Sequence, residues 1–443
     1  MVRTHPTTAS CPAIFISAPA SGQGKTTITA GLARYHHNQG RKVRVFKTGP
    51  DYLDPLILQR ASHHPVEQID LWMMGENYCR QVLFQAAGEA DLIIIEGAMG
   101  LYDGDPSSAD LAEFFGIPIM LVINGKAMAQ TFGAITLGLT QYRQGLRFAG
   151  VIANNVASER HQSLIKQSIP ENITLLGCFP RNQQMELPHR HLGLIDPNEI
   201  EDFDQRLEML ANEISLSDIN KLPLAIEFKN SVSQTPKPRL NTCRIAIAKD
   251  EAFSFIYAEN IRLLEALGAT IIYFSPLHDQ QLPLADALWL PGGYPELHKE
   301  TLQNNLSMHQ AIKQHYQAGK KILAECGGML YIQKTLTGID GTSVKMVGLI
   351  SGDGHMRSRS GCQGMQTALL PEGEIRAHAH HHSRSENTSK PISHAKRATH
   401  PAPGEAIYRS KGLTASYLHL FFPSNKTAIS KLFSNNDRLK TES

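Results

Sequence analysis

The stretch "SAPASGQGKTT" (17–27) ends in the lysine and hydroxyl of a phosphate-binding loop. Such a loop needs small residues that let backbone N–H groups point inward, with a helix N-terminus behind it. It also needs a lysine for phosphate charge and a hydroxyl for Mg²⁺. Ser21, Gly22 and Gly24 supply the small residues, Lys25 the charge and Thr26 the hydroxyl, with Thr27 leading into the helix. The usual pattern, G-x-x-x-x-G-K-S/T, is broken once, because Pro19 stands where its first glycine belongs. An ordinary strand-to-helix turn with a solvated lysine is the alternative. Acids follow the next apolar runs: Asp51 and Asp54 in "TGPDYLDP", Glu96 and Asp103 in "IIIEGAMGLYDG". Mg²⁺ takes oxygen ligands and keeps several waters, so one hydroxyl and one or two carboxylates suffice. Asp-rich turns also arise for local hydrogen-bonding reasons, whereas Glu96 ends a buried strand and needs a partner there.

A second chemistry is written in "KKILAECGGMLYIQ". A cysteine on a sharp strand-to-helix turn is exposed, and a helix N-terminus favours its thiolate. Cys326 fills that place, and the N–H of Gly327 is aimed at a developing oxyanion. Gly292 or Gly293 in "LWLPGGYPE" offers a second donor, with His419 in "ASYLHLFF" as the base. A lone buried cysteine is otherwise an inert small hydrophobe.

These residues need strands to carry them. "AIFISA" (13–18), "KVRVFKT" (42–48), "DLIIIEG" (91–97), "PIMLVIN" (118–124), "AGVIANN" (149–155) and "ITLLGCF" (173–179) read as strands buried on both faces, alternating with helical stretches. Ligands of such parallel sheets bind at the carboxyl ends of the strands, where Lys25 and the acids lie. Residues 214–242 lose all period and read as a linker. A second series follows in "CRIAIAKD" (243–250), "ATIIYFSP" (269–276), "DALWLPGG" (286–293) and "KKILAECGG" (320–328). The expected fold class is therefore α/β, with two doubly wound, mainly parallel-sheet domains at 1–213 and 243–443. The polar, Pro-rich stretch from about 380 to 405 reads as a mobile surface loop.

The 443 residues, 42% apolar and 19% charged, fit a globular chain of more than one domain. A formal net charge of +2 with no long basic run argues against a nucleic-acid binder. Six cysteines without a CxxC pair read as reduced thiols. "CPAIFISAPA" after Arg3 is short for a signal peptide and leads straight into the loop, and no apolar run is long enough for a membrane span. A cytoplasmic protein is expected.

Ordered along the chain, "APASGQGKTT", "KTGPDYLDP", "EGAMGLYDG", "GVIANNV", "PHRHLGL", "IAIAKDEAFSFIYAENIRLLEALGA", "WLPGGYPEL", "AECGGMLY" and "ASYLHLFFPSN" resemble the cobyrinate (hydrogenobyrinate) a,c-diamide synthase family of cobalamin biosynthesis over nearly the whole length. The first half looks like that family's dethiobiotin-synthetase-like ATPase domain and the second like its class I glutamine amidotransferase domain. The proline of the first loop is a family trait. The resemblance implies ATP- and Mg²⁺-dependent amidation of two corrin acetates through acyl phosphates, with glutamine as nitrogen donor. It implies Mg²⁺ on Thr26, Asp51 and Glu96, adenine near Asn154, and corrin contacts from Tyr52, Asp103, Arg190 and His191. It implies attack by Cys326 on glutamine with His419 as proton carrier, ammonia passing on to the ATPase half, and it leaves a homodimer open.

The chain also departs from the family. Leu420 and Phe421 follow His419, so the acid of an H-x-E motif is absent, as in the resembled subfamily. "EIRAHAHHHS" (374–383) stands where R-G-H-E-F-H-Y-S is usual; Arg376, His378, His381 and Ser383 fit, whereas Ala379, His380 and His382 do not. "SGCQGMQ" replaces a leucine-glycine-tyrosine-arginine segment, and Asn124 an aspartate. The histidine cluster reads as a surface loop rather than a metal site. Rival readings are a cobyric acid synthase-like amidase, an ammonia-dependent enzyme with a weakened glutaminase half, and a nucleotide-switched partner-binding protein that has no use for Cys326.

Overall fold

In this computed structural model, residues 7–185, 187, 189–190, 193–194, 197, 200–231, 237, 239–359 and 361–434 are described. The chain divides into two compact units, Met1–Ser233 and Gln234–Ser443.

The first unit runs β1 (Thr8–Ser17), α1 (Lys25–Asn38), β2 (Val43–Thr48), α2 (Leu53–Ser62), β3 (Glu67–Ile69), α3 (Leu71–Met74), α4 (Glu76–Glu89), β4 (Leu92–Glu96), α5 (Ser108–Phe115), β5 (Ile119–Asn124), α6 (Gln130–Gln141), β6 (Phe148–Val156), α7 (Glu159–Ser168), β7 (Leu175–Pro180), the short pair β8 (His189–Arg190) and β9 (Gly193–Leu194), α8 (Phe203–Ser215) and β10 (Ala225–Lys229). The parallel order is β3-β2-β4-β1-β5-β6-β7. All six strands expected for this half are present. Their Ile, Val and Leu side chains are buried on both sheet faces, as in "LIIIE" of β4, where every residue is buried. The chain moves from one side of β1 to the other between β4 and β5, so a cleft opens at the carboxyl ends of β1, β2 and β4. The stretch read as a linker contains β10, whose "AIEFK" pairs antiparallel with the amino half of β1, Thr8 opposite Lys229 and Pro12 opposite Ala225. Phe228, 5% exposed, and the half-buried Ile226 anchor it to the core, and two apolar residues leave little periodic signal in a short edge strand.

The second unit runs β11 (Arg244–Ala248), α9 (Ala258–Ala266), β12 (Thr270–Phe274), β13 (Ala287–Leu290), α10 (Lys299–Asn304), α11 (Leu306–Gln317), β14 (Lys321–Glu325) and α12 (Gly327–Ile332). Then come β15 (Thr335–Thr337), β16 (Ser343–Lys345), β17 (Asp353–Met356), β18 (Gln363–Leu370), β19 (Gly373–His380), β20 (Ser383–Glu386), β21 (Ser393–Arg397), β22 (Pro403–Ser410), β23 (Leu413–Ser416), β24 (Leu418–Leu420) and α13 (Lys426–Phe433). The sheet order is β12-β11-β13-β14-β23-β22-β21-β18-β19-β24. β11 to β14 and β23 are parallel, and the remainder pair antiparallel. The stretch expected as a mobile loop is instead β20, β21 and the start of β22. In β21 the polar residues are exposed or half-buried while Ala395 points into the core, so a half-exposed strand reads as a loop in sequence.

Candidate functional site

β1 delivers the chain to a loop at Ala18–Gly24, and α1 begins at Lys25. Gly24 caps that helix with φ 97°, and a Cβ there would lie 2.1 Å from Asn154 Nδ2. A side chain is excluded at this point both by backbone conformation and by space. Asn154, at the end of β6, donates from Nδ2 to the Gln23 carbonyl at 2.9 Å and so braces the loop. Ser21 and Gly22 are exposed, and Thr27 is half-buried in the first turn. Lys25 is buried, its Nζ donating to Ala20 O at 3.1 Å and to Met99 O at 2.7 Å. Burial, and then the neighbouring Lys47 ammonium, lower its pKa to about 8. Two carbonyls thus hold a weakly solvated ammonium inside the loop, ready to exchange them for phosphate oxygens.

Beside the loop stands a group that the sequence reading only half identified. Thr26 Oγ1 lies 2.9 Å from Glu96 Oε1 and 3.2 Å from Asp54 Oδ2. Lys47 Nζ donates to the same two oxygens, at 2.5 and 2.6 Å. Asp51 accepts from the backbone N–H groups of Leu53 and Asp54 and its Oδ2 is 3.8 Å from Lys47, so it opens α2 while Asp54 meets the hydroxyl. Desolvation and the Asp54 carboxylate push Asp51 up to about 7. Burial alone would raise Asp54, but Lys47 outweighs it and holds the acid below its usual value. Glu96 is 0% exposed, and its second oxygen has no hydrogen-bond partner. A hydroxyl and two carboxylates, one of them with an unpartnered oxygen, are a hard-donor set that fits Mg²⁺. Lys47 was missed; its signal was a cation near the end of a strand whose six residues are all buried.

Of the residues expected to meet the corrin, Tyr52 and Asp103 are fully described. Tyr52 is the half-buried cap of α2. Asp103 is exposed, accepting from Gly100 N at 3.1 Å. Arg190 lies in β8 with its side chain outside the description, and His191 lies outside the described residues.

In the second unit the sharp turn is real: Cys326 has φ 45° and caps α12. Its N–H donates to Ser416 O at 2.8 Å, tying β14 to the end of β23. Gly293 N lies 2.9 Å from where a Gly327 Cβ would sit, and a Gly292 Cβ would meet His419 Cε1 at 2.3 Å. Gly292, Gly293, Cys326, Gly327 and His419 therefore crowd one corner, and only glycines fit there. The Gly327 backbone N–H acts on the Cys326 thiol in the lowering direction. The expectation of a thiolate is not met: burial, and then the Glu296 carboxylate, push the thiol far up, and Cys326 is 6% exposed. Desolvation outweighs a helix end of six residues. Burial and the nearby His378, His381 and His380 hold His419 well below the usual imidazole range. Thiol and imidazole thus both rest neutral.

Glu325, beside the nucleophile, accepts from Leu420 N at 2.8 Å and from Trp289 Nε1 at 2.9 Å, so it links β14 to the strand of His419. Desolvation pushes it up to about 8. The histidine segment is no surface loop: His378 sits on β19 directly opposite His419 on β24, and both are buried. His381 stacks on Tyr417 at 4.3 Å and lies 3.1 Å from Glu405 Oε1. Imidazoles on alternating strand positions pass for a polar loop in sequence, because burial of a neutral ring leaves no apolar letter. No group of three or more His, Cys, Asp or Glu side chains placed to hold an ion is found among the described residues. No helix among them is long and apolar enough to cross a membrane.

Comparison with known proteins agrees with this two-part geometry. Residues 14–195 match the CobQ/CobB/MinD/ParA nucleotide binding domain, and 244–427 the CobB/CobQ-like glutamine amidotransferase domain. The chain is 50% identical over 426 residues to hydrogenobyrinate a,c-diamide synthase of Stutzerimonas stutzeri, covering 96% of this chain and 99% of that one. The Pseudomonas aeruginosa protein of the same name is 48% identical, covering 96% and 98%. Cobyrinate a,c-diamide synthase of Herminiimonas arsenicoxydans is 46% identical over 437 residues, covering 98% and 99%. With nearly end-to-end identity at this level, the chain belongs to the cobyrinate/hydrogenobyrinate a,c-diamide synthase family, glutamine amidotransferases joined to a nucleotide-binding unit.

Proposed function

We propose that the chain is a cytoplasmic carbon–nitrogen ligase that amidates the a and c carboxylates of cobyrinate or hydrogenobyrinate at the expense of ATP and glutamine. Residues 1–213 bind ATP and the corrin, and residues 243–443 release ammonia. The observation that carries this reading is the 50% identity, over 96% of the chain, to a protein of that name. In the first unit a substrate carboxylate oxygen attacks the γ-phosphorus of ATP and ADP leaves, giving an acyl phosphate whose carbonyl carbon ammonia attacks, releasing inorganic phosphate and the amide. Lys25 and the loop N–H groups bind the phosphates, and Thr26, Glu96, and Asp54 or Asp51 would hold Mg²⁺. Bound there, Mg²⁺ supplies charge to offset the phosphoryl oxygens. Tyr52, Asp103, Arg190 and His191 are assigned to the corrin, and Asn154 to loop support beside the nucleotide.

In the second unit the Cys326 sulfur attacks the glutamine amide carbon while His419 takes the thiol proton and passes it to the departing nitrogen. Ammonia leaves, and water then hydrolyses the glutamyl thioester, returning the thiol. Because neither group is ionised at rest, proton transfer and attack are coupled, and the Gly293 and Gly327 N–H groups stabilise the oxyanion. The test is incubation of the purified chain with cobyrinate or hydrogenobyrinate, Mg-ATP and glutamine, followed by mass spectrometry. Two successive products are expected, each acid-to-amide exchange lowering the mass by about one unit. Glutamine and ATP consumed with no change in either corrin would refute the assignment.

A further inference from the structure

Lys47 is 3% exposed, and its ammonium does not point at solvent or at the phosphate loop. It rests on Asp54 Oδ2 and Glu96 Oε1 at 2.6 and 2.5 Å, the two oxygens that Thr26 Oγ1 also meets. Asp51 Oδ2, at 3.8 Å, completes an acidic ring around it. These oxygens are the donors to which the proposed function gives Mg²⁺, and the inference rests on that reading. An oxygen that keeps a short ammonium contact is a poorer ligand for Mg²⁺ at about 2.0–2.1 Å, since the two cations then repel across a shared donor with little to screen them. Glu96 is fully buried, and without a cation its charge would be uncompensated.

We propose that Lys47 is a built-in counter-ion that holds the Glu96 and Asp54 oxygens offered to Mg²⁺ and competes with the metal for them. The arrangement sets free Mg²⁺ against an intramolecular rival, so that the metal enters efficiently only when phosphate oxygens add to its ligands. An ordinary structural ion pair, which stays in place while the metal binds elsewhere, is the contrary outcome.

The probe is Mn²⁺, titrated by electron paramagnetic resonance into the full-length, nucleotide-free protein. Lys47→Met is expected to bind Mn²⁺ at least about tenfold more tightly than wild type, because the competing charge is gone. Lys47→Arg, which keeps a cation there, is expected to stay weak. Equal affinity in Lys47→Met and wild type overturns the proposal. Should Lys47→Met fail to fold, the wild-type chain carries the test through amine labelling of Lys47, read by peptide mass spectrometry. Labelling is expected to rise at least about threefold in saturating Mg²⁺ over NaCl of equal ionic strength as the buried ammonium is expelled. Unchanged labelling overturns the proposal. Glu96→Gln separates the two readings. If it abolishes Mn²⁺ binding while Lys47→Met leaves it unaltered, only the counter-ion role falls. If it changes neither Mn²⁺ nor Mg-ADP binding, the metal assignment falls, and the inference with it.

Discussion

Glu325→Gln offers a sharp test of how the second unit aligns its nucleophile and base. Glu325 is 2% exposed, immediately precedes Cys326, and accepts from Leu420 N, the residue after His419, at 2.8 Å and from Trp289 Nε1 at 2.9 Å. The assay belongs at pH 8.5, above the value of about 8 to which desolvation pushes the acid, so that both oxygens accept. Glutamine has nearly the same shape but turns one acceptor into an NH₂ donor facing an N–H. A buried donor left unmet costs about 1–3 kcal/mol. In a unit of this size that corresponds to a fall in Tm of about 2–10 °C. Relief of the clash shifts β24 against β14, and a misplacement near 1 Å can cost about a hundredfold in rate. Glutamine hydrolysis, followed as glutamate release, is therefore expected to fall about tenfold to a hundredfold, with ammonium-driven amidation within about twofold of wild type. Wild-type glutaminase with an unchanged Tm would refute the reasoning. So would an equal loss of both activities, which would mean general damage rather than a lost tie.

Other substitutions probe the remaining parts. Cys326→Ser should lower glutamine-driven amidation at least about a thousandfold while ammonium at pH 9 still supports it, and loss of both activities would contradict a nucleophile confined to glutamine. Gly24→Ala places a Cβ 2.1 Å from Asn154 Nδ2 at φ 97°. It should cost about 1–3 kcal/mol and weaken Mg-ATP binding in calorimetry, and an unaltered Kd would argue against the loop assignment. Acid should unfold the second unit through its buried histidines. His378, at about 3, and His309 and His315, at about 4, are depressed chiefly by burial. Their folded values lie below the unfolded value of about 6.5, so their stabilising effect is present above that pH and is lost as pH falls toward the folded values. The loss of Tm from about pH 6 to 4 should be smaller in His378→Gln than in the wild-type chain, and an equal loss in both would exclude this.

Local chemistry was legible in the chain as written. Gly24-Lys25-Thr26 before a helical stretch, and Cys326-Gly327 after a buried run, announce phosphate and thiol chemistry because turn conformation and strand burial depend on neighbours within a few residues. The same locality made the six strands of the first half and the core strands of the second readable. What only the tertiary structure decided was which distant residues share an atom: Lys47 with Glu96 and Asp54, Glu325 with Leu420, and His378 with His419. It also decided that β10 joins the first sheet and that the histidine stretch lies inside the second. The upward push on the Cys326 thiol comes from the same source, since desolvation depends on every element packed around the sulfur, whereas the helix-end effect that suggested a thiolate depends on one turn. Strand pairing and burial are made across the fold, at sequence separations over which residue order carries no period to read.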